Sequence, residues 1–121
     1  MIAFKNLSSK EKGILAEEMA VNFLRNKGFT ILKRNWYLNR MGEIDIIALK
    51  DKTLNFVEVK SLLKEEEHFN PEHHFSFKKF LKLTKLANFY ANNSKYDEWI
   101  ISLIAVVLNN FKIRYYENIK F

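Results

Sequence analysis

The sequence predicts an α/β sandwich: a mixed sheet of about five strands with two helices, in the order helix, three strands, helix, two strands. Three observations predict it. Two segments, 8–28 and 76–92, repeat apolar residues at helical spacing. Between them, residues 29–60 hold three runs with strand character. After the second helix comes Trp99–Leu108, an apolar run of the length of a buried strand. A strand–helix–strand unit of this kind closes as a right-handed parallel crossover, which makes the sheet mixed.

Each element has its own signals. Ser8-Ser9-Lys10-Glu11 reads as a capping box opening the first helix, and Gly28 is placed to end it in a left-handed conformation. Gly13, Ala16, Ala20, Val21 and Leu24 form its apolar stripe. Glu17 falls inside that stripe, where an acid needs a reason. Phe29–Trp36, Glu43–Lys50 and Leu54–Lys60 are the three strands. Ser61 to Phe75 is a charged loop containing Glu65-Glu66-Glu67, His68, His73 and His74. Ser76 caps a second helix running to about Asn92. Phe77, Phe80, Leu81, Thr84, Ala87 and Ala91 are its expected buried face, with Lys78, Lys82 and Lys85 opposite. Asn109-Asn110 is a tight turn, and Phe111–Tyr116 a final strand.

Composition narrows the function. A chain of 121 residues, 48% hydrophobic and with 11 phenylalanines, has material for one core and one domain. Cysteine is absent, so disulfides, thiolate metal sites and cysteine nucleophiles are excluded. No apolar stretch reaches about 18 residues, and the N-terminal residues lack a signal-peptide core, so no membrane association is expected and a cytoplasmic location is. The net charge of +6 favours a polyanionic partner, nucleic acid first. The same lysines are equally what a solvated surface would carry.

Two short stretches carry the chemistry: Gly42-Glu43-Ile44-Asp45-Ile46-Ile47 and Phe56-Val57-Glu58-Val59-Lys60. If Asp51 and Lys52 form a two-residue turn, Lys50 faces Thr53, Ile47 faces Phe56 and Asp45 faces Glu58. Period-two alternation puts Glu58 and Lys60 on one side. Two opposed carboxylates repel at that spacing unless a cation lies between them, and a divalent hard cation takes oxygen ligands. Asp45 and Glu58, with the carbonyl of Val59, are the expected metal ligands, and Lys60 would orient water or stabilise charge on a phosphate. Glu17 could serve as a water-mediated ligand or a base. The bland alternative is a sheet face with ordinary cross-strand ion pairs. Asp-Lys is also a poor type I′ turn, and a longer loop would put the acids on a diagonal. His68, His73 and His74 lack zinc-ligand spacing and read as loop residues. Trp36 and Tyr37 read as core or rim aromatics. The Lys78/Lys82/Lys85 face would track phosphates only if it borders the acids.

On these residues the chain resembles the YraN-like proteins, small bacterial members of the PD-(D/E)XK nuclease superfamily. The matching residues are Gly13 to Leu24 (G-x-x-x-E-x-x-A-x-x-F-L), Gly28-Phe29-Thr30-Ile31-Leu32, Asn35-Trp36, the two stretches above and, more weakly, Lys79. The resemblance implies a restriction-endonuclease-like three-layer fold over residues 1–121 as a single nuclease-like domain. It implies Glu17, Asp45, Glu58 and Lys60 as catalytic residues, arranged as in archaeal Holliday-junction resolvases. Mg²⁺ is the implied cofactor, with Mn²⁺ as a substitute. The implied substrate is DNA, branched forms included, bound by Lys78, Lys79, Lys82 and Lys85. A homodimer and a recombination helicase are further implied partners, in recombination or repair. Leu62 stands where the family usually has arginine, and Ser102 where it tends to have aspartate. The competing expectation is a non-catalytic DNA-binding module that assists a helicase or recombination partner.

Overall fold

The computed structural model describes residues 6–65 and 74–121. The elements are α1 (Ser9–Asn26), β1 (Thr30–Tyr37), β2 (Glu43–Lys50), β3 (Thr53–Leu62), α2 (Phe77–Asn92), β4 (Glu98–Val107) and β5 (Lys112–Tyr116). His68 and His73, with Glu66 and Glu67, lie outside the described residues. Among those residues no helix is long and apolar enough to cross a membrane.

Local chemistry sets the helix ends. Ser8 is the N-cap of α1. Its Oγ accepts from the Glu11 amide at 3.1 Å, and the Glu11 carboxylate accepts from the Ser8 amide at 2.9 Å. Gly28 follows the helix at φ +94°, a conformation that side chains resist. Ser76 caps α2 by accepting from the Lys79 amide.

The five strands lie in chain order, β1-β2-β3-β4-β5. All neighbours are antiparallel except β3 and β4, which run parallel across the α2 crossover. The β2–β3 turn is Asp51-Lys52, with φ +51° and +66°. Both central residues are left-handed, as a type I′ turn requires, although neither is glycine. The tight turn fixes the register: Lys50 pairs with Thr53, Ile47 with Phe56 and Ile46 with Val57.

Alternation along the strands splits the core in two. Ile46, Ala48, Val57, Ile104 and Val106 pack with Ala16, Ala20, Val21 and Leu24 of α1. Ile47, Leu54, Phe56, Ile101 and Leu103 pack with Leu83, Leu86, Ala87 and Ala91 of α2. Consecutive strand residues thus face different helices, and the molecule has three layers.

Two expectations change. The buried face of α2 is Leu83, Leu86, Ala87 and Ala91, whereas Phe77 and Leu81 are 53% and 45% exposed. The periodicity supports both phases, and the sheet selects the one that packs Leu83 and Leu86 with Phe56 and Leu103, with Ala87 and Ala91 common to both. The β4–β5 connection is also longer than Asn109-Asn110. It includes Phe111, exposed and at φ +56°, so β5 begins at Lys112.

Candidate active site

The β2–β3 ladder ends at Ile46 and Val57, one residue pair short of the acids. Beyond that point the Asp45 side chain replaces the backbone partner. Its Oδ2 accepts from the Val59 amide at 2.8 Å. A residue's N–H and C=O project to the same edge of a strand, so the Val59 carbonyl faces the same gap.

Asp45 and Glu58 come together there. Glu58 is 9% exposed. Burial pushes the Asp45 carboxyl up to about 7, helped by the charge of Glu58 and a hydrogen bond with it, while the Val59 amide pulls the other way. Glu58 also meets Lys79 of α2, whose Nζ lies 2.7 Å from its Oε1. This lysine, expected to bind phosphate, reaches into the acid pair.

Asp45 and Glu43 form the shared wall of two clefts. The first, about 240 Å³, lies under α2 and is lined by Glu43, Asp45, Glu58, Lys79 and Lys82. The second, about 420 Å³, lies beside α1 and includes Glu17, Asn35, Asp45, Val59 and Lys60 in its lining. Simple alternation puts Glu58 and Lys60 on one face, but they line different clefts. Past Val57 the β2 backbone no longer pairs with β3, so the sheet does not separate the two faces there. Lys60 is exposed at the mouth.

Glu17 points to this same region. Its Oε1 accepts from Arg34 Nε at 3.1 Å and from Asn35 Nδ2 at 2.9 Å, and Arg34 also bridges to Glu18 at 3.0 Å. The apolar environment around an acid in the α1 stripe is thus answered by β1. Sequence reasoning assigned no role to Arg34 and Asn35. Their signal is the backbone: Asn35 has φ +51° within a strand, and in the β1–β2 register it stands opposite Asp45. Asparagine is among the residues best able to adopt that conformation.

The lysines of α2 border the acids. Lys78, Lys82 and Lys85 line a groove of about 410 Å³ with Met41 and Leu81, and Lys82 belongs to the first acidic cleft as well. Gly42 makes that possible, because a Cβ there would lie 2.8 Å from Lys82 Cε. Trp36 packs edge-on against Tyr90 at 5.3 Å, as a core-rim aromatic, while Tyr37 is exposed. Leu62 is half-buried at the end of β3. Among the described residues no group of three His, Cys, Asp or Glu side chains is placed to hold a metal.

On β4, paired with Val57, Ser102 is fully buried and donates to Asn55 Oδ1 at 2.7 Å. Asn55 Nδ2 donates to Tyr115 Oη at 2.7 Å, and Tyr115 Oη donates to Glu117 at 2.7 Å. Ser102 is therefore part of a hydrogen-bonded chain that runs out to the exposed Glu117 carboxylate.

Known proteins share this sequence and fold. The model of uncharacterised protein family UPF0102 matches residues 16–113. A UPF0102 protein of Helicobacter hepaticus is 42% identical over 113 residues, covering 93% of this chain and 97% of the relative. A UPF0102 protein of Campylobacter jejuni subsp. doylei is 39% identical over 110 residues, covering 90% and 93%. Among solved structures, the bacterial homing endonuclease I-Ssp6803I superposes with a TM-score of 0.52 at 18% identity, over 92% of this chain and 66% of that one. The α/β sandwich with its mixed five-stranded sheet is therefore restriction-endonuclease-like, and the chain belongs to the UPF0102 family, the YraN-like proteins.

Proposed function

We propose that this chain is a metal-dependent endonuclease that hydrolyses phosphodiester bonds in DNA, with a role in recombination or repair. One observation carries the reading: folding crowds Asp45 against Glu58 at an opening that Asp45 shares with Glu17 and Lys60. A buried and a half-buried acid with one proton affinity pushed up to about 7 are relieved by a cation.

The donor set suits Mg²⁺, which is commonly held by one or two carboxylates with the other positions left to water and substrate phosphate. Asp45, Glu58 and the Val59 carbonyl would hold it, and Mn²⁺ accepts the same donors. Bound there, the metal supplies Lewis-acid polarisation of the scissile phosphate. The chain's own residues do the rest. Lys60 directs its ammonium at a phosphate oxygen and counters charge as it grows there. Glu17, fixed by Arg34 and Asn35 across the cleft, aligns the attacking water and accepts its proton. Lys78, Lys82 and Lys85 hold flanking phosphates, and Lys79 leaves Glu58 for phosphate when a divalent cation takes its place.

A second reading rests on the Lys79–Glu58 contact at 2.7 Å. A lysine already neutralises half of the acid pair, as a binding module without metal would need. Such a module would assist a helicase or recombination partner on DNA.

The test is a labelled panel of linear, flapped and four-way DNA, with Mg²⁺ and with chelator. The endonuclease reading expects cleavage that stops on chelation and in Lys60→Ala, with DNA binding retained. Wild-type protein that binds the panel and cuts none of it gives the function to the binding module.

A further inference from the structure

We infer that the exposed face of α2 is a single-strand track: it binds an unpaired nucleic-acid strand, bases on apolar side chains and phosphates on lysines, and delivers that strand to the acidic cleft. The inference deepens the proposed function by naming the form of substrate, and it rests on that reading only for the direction of delivery.

The face is unusual for a solvated helix. Phe77, Leu81 and Phe89 are 53%, 45% and 44% exposed. They lie on one i, i+4 row of α2, which Lys85 completes. Lys78 and Lys82 form the adjoining row. Apolar and cationic side chains therefore alternate across the same surface. Phe77 also packs on Phe121, with ring centroids 5.5 Å apart, whereas a lysine face that only solubilises a helix has no need of the exposed Leu81 and Phe89 beside it.

The row leads somewhere. Leu81 and Met41 form the apolar part of the groove that Lys78, Lys82 and Lys85 line. Lys82 continues into the cleft of Asp45 and Glu58. The groove's volume, about 410 Å³, is that of a small-molecule site, with room for unpaired bases and none for a duplex cross-section. Sequence-tolerant single-strand binding joins a basic groove to stacking side chains, and stacking is worth about 1–3 kcal/mol per base. A paired duplex hides its base faces and would meet only the lysines.

The experiment measures binding in chelator, so cleavage plays no part. The probes are a fluorescent twenty-nucleotide oligo(dT) and a duplex of equal length. Wild-type protein should bind the single strand at least about tenfold more tightly. Phe89→Ala and Leu81→Ala, each checked for an unchanged thermal midpoint, should weaken oligo(dT) binding about tenfold, equal to 1.4 kcal/mol, and duplex binding less than about twofold. Lys85→Ala should weaken both and flatten the single-strand salt slope by about 0.7. Equal affinity for the two probes overturns the inference, as do Phe89 and Leu81 variants that bind oligo(dT) like wild type. If the single-strand preference holds while no DNA is cut in Mg²⁺, the catalytic reading fails and the track stands. Cleavage without the preference leaves the enzyme and removes the track.

Discussion

Two polar clusters sit side by side in the same sheet, with Asn55 and Glu58 three residues apart on β3, and they are built on opposite plans. At the Asn55 end of β3, Asn118, Ser102, Asn55, Tyr115 and Glu117 form a chain in which each donor meets one acceptor. Burial first, then the Glu117 carboxylate, pushes the Tyr115 hydroxyl well above the ordinary tyrosine range, so it stays a neutral donor. Three residues along β3, Asp45 accepts from the Val59 amide and Glu58 from Lys79, which still leaves two acids against each other. Burial, with the charge of Glu58, raises the Asp45 carboxyl to about 7. The first cluster is complete without any ligand. The second keeps one carboxyl at a raised proton affinity and is open to two clefts. Frustration kept at an accessible place, with satisfied polarity elsewhere, is what favours the Asp45 cleft as the proposed site.

The largest expected effect separates the clusters by activity. Lys60→Ala should lower the cleavage rate by about 10²–10³, or about 2.7–4 kcal/mol, if Lys60 acts as a preorganised charge. Asp45→Asn should do likewise by weakening the metal site. Ser102→Ala, on the satisfied cluster, should leave the rate within about threefold. Comparable losses at Ser102 and Lys60 would erase the distinction.

The reverse ordering is expected in stability. Asn55→Ala strands the Ser102 and Tyr115 hydroxyls in a buried site and should cost about 2–3 kcal/mol in chemical denaturation. Lys60→Ala removes an exposed side chain and should stay within about 0.5 kcal/mol. If Asn55→Ala is neutral, water or a rearranged pair completes that cluster and the contrast weakens.

Much of this was readable in the sequence, because the signals were local. A Ser-x-x-Glu box, a glycine after a helix and two strands of fixed phase around a short turn set α1, β2 and β3. The Asp45–Glu58 approach followed from counting outward from Asp51-Lys52, although that dipeptide is a weak turn former. Pairing on both sides imposes a left-handed turn that the dipeptide alone does not favour. What was not readable depends on tertiary partners. The phase of α2 was ambiguous, since both of its apolar faces have helical spacing and only packing on Phe56 and Leu103 distinguishes them. The Lys79–Glu58 contact joins residues from two layers. Asn35 gave no local signal of a left-handed backbone within a strand, because its cause lies across the sheet at Asp45 and Glu17. The separation of Glu58 and Lys60 into two clefts follows from where the ladder stops.

A smaller effect tests whether the crowded acids are costly to the fold. A raised carboxyl contributes stability that is fully present below its unfolded value, near 3.8, and is lost as pH rises through about 7. Asp45→Asn keeps an oxygen for the Val59 amide and removes the charge. In chelator at pH 8 it should raise stability by about 1–2 kcal/mol, a few degrees of thermal midpoint, and below about pH 4 the variant and wild type should converge. Mg²⁺ at pH 8 should then stabilise wild type and not the variant. A variant less stable than wild type at pH 8 would show that Asp45 is a satisfied structural acid, like the members of the Asn55 chain.

The smallest effect asks whether Asn35 is part of the same frustration. Its φ of +51° within β1 costs ordinary residues about 1 kcal/mol, asparagine less and glycine nothing. Its side chain also donates to Glu17. Asn35→Gly keeps the backbone free and loses the amide. Asn35→Ala loses the amide and adds the strain. If the left-handed turn exists to bring Glu17 and Asp45 to one cleft, both variants should lose cleavage to a similar degree. Only Asn35→Ala should lose stability, by about 1 kcal/mol relative to Asn35→Gly. Asn35→Asp keeps the backbone tolerance and puts an acceptor against Glu17, so it should lose activity without the alanine variant's stability loss. Equal stability of the alanine and glycine variants would mean that β1 relaxes to an ordinary strand once the amide is gone. The geometry opposite Asp45 would then be held by the Asn35–Glu17 hydrogen bond rather than by the backbone.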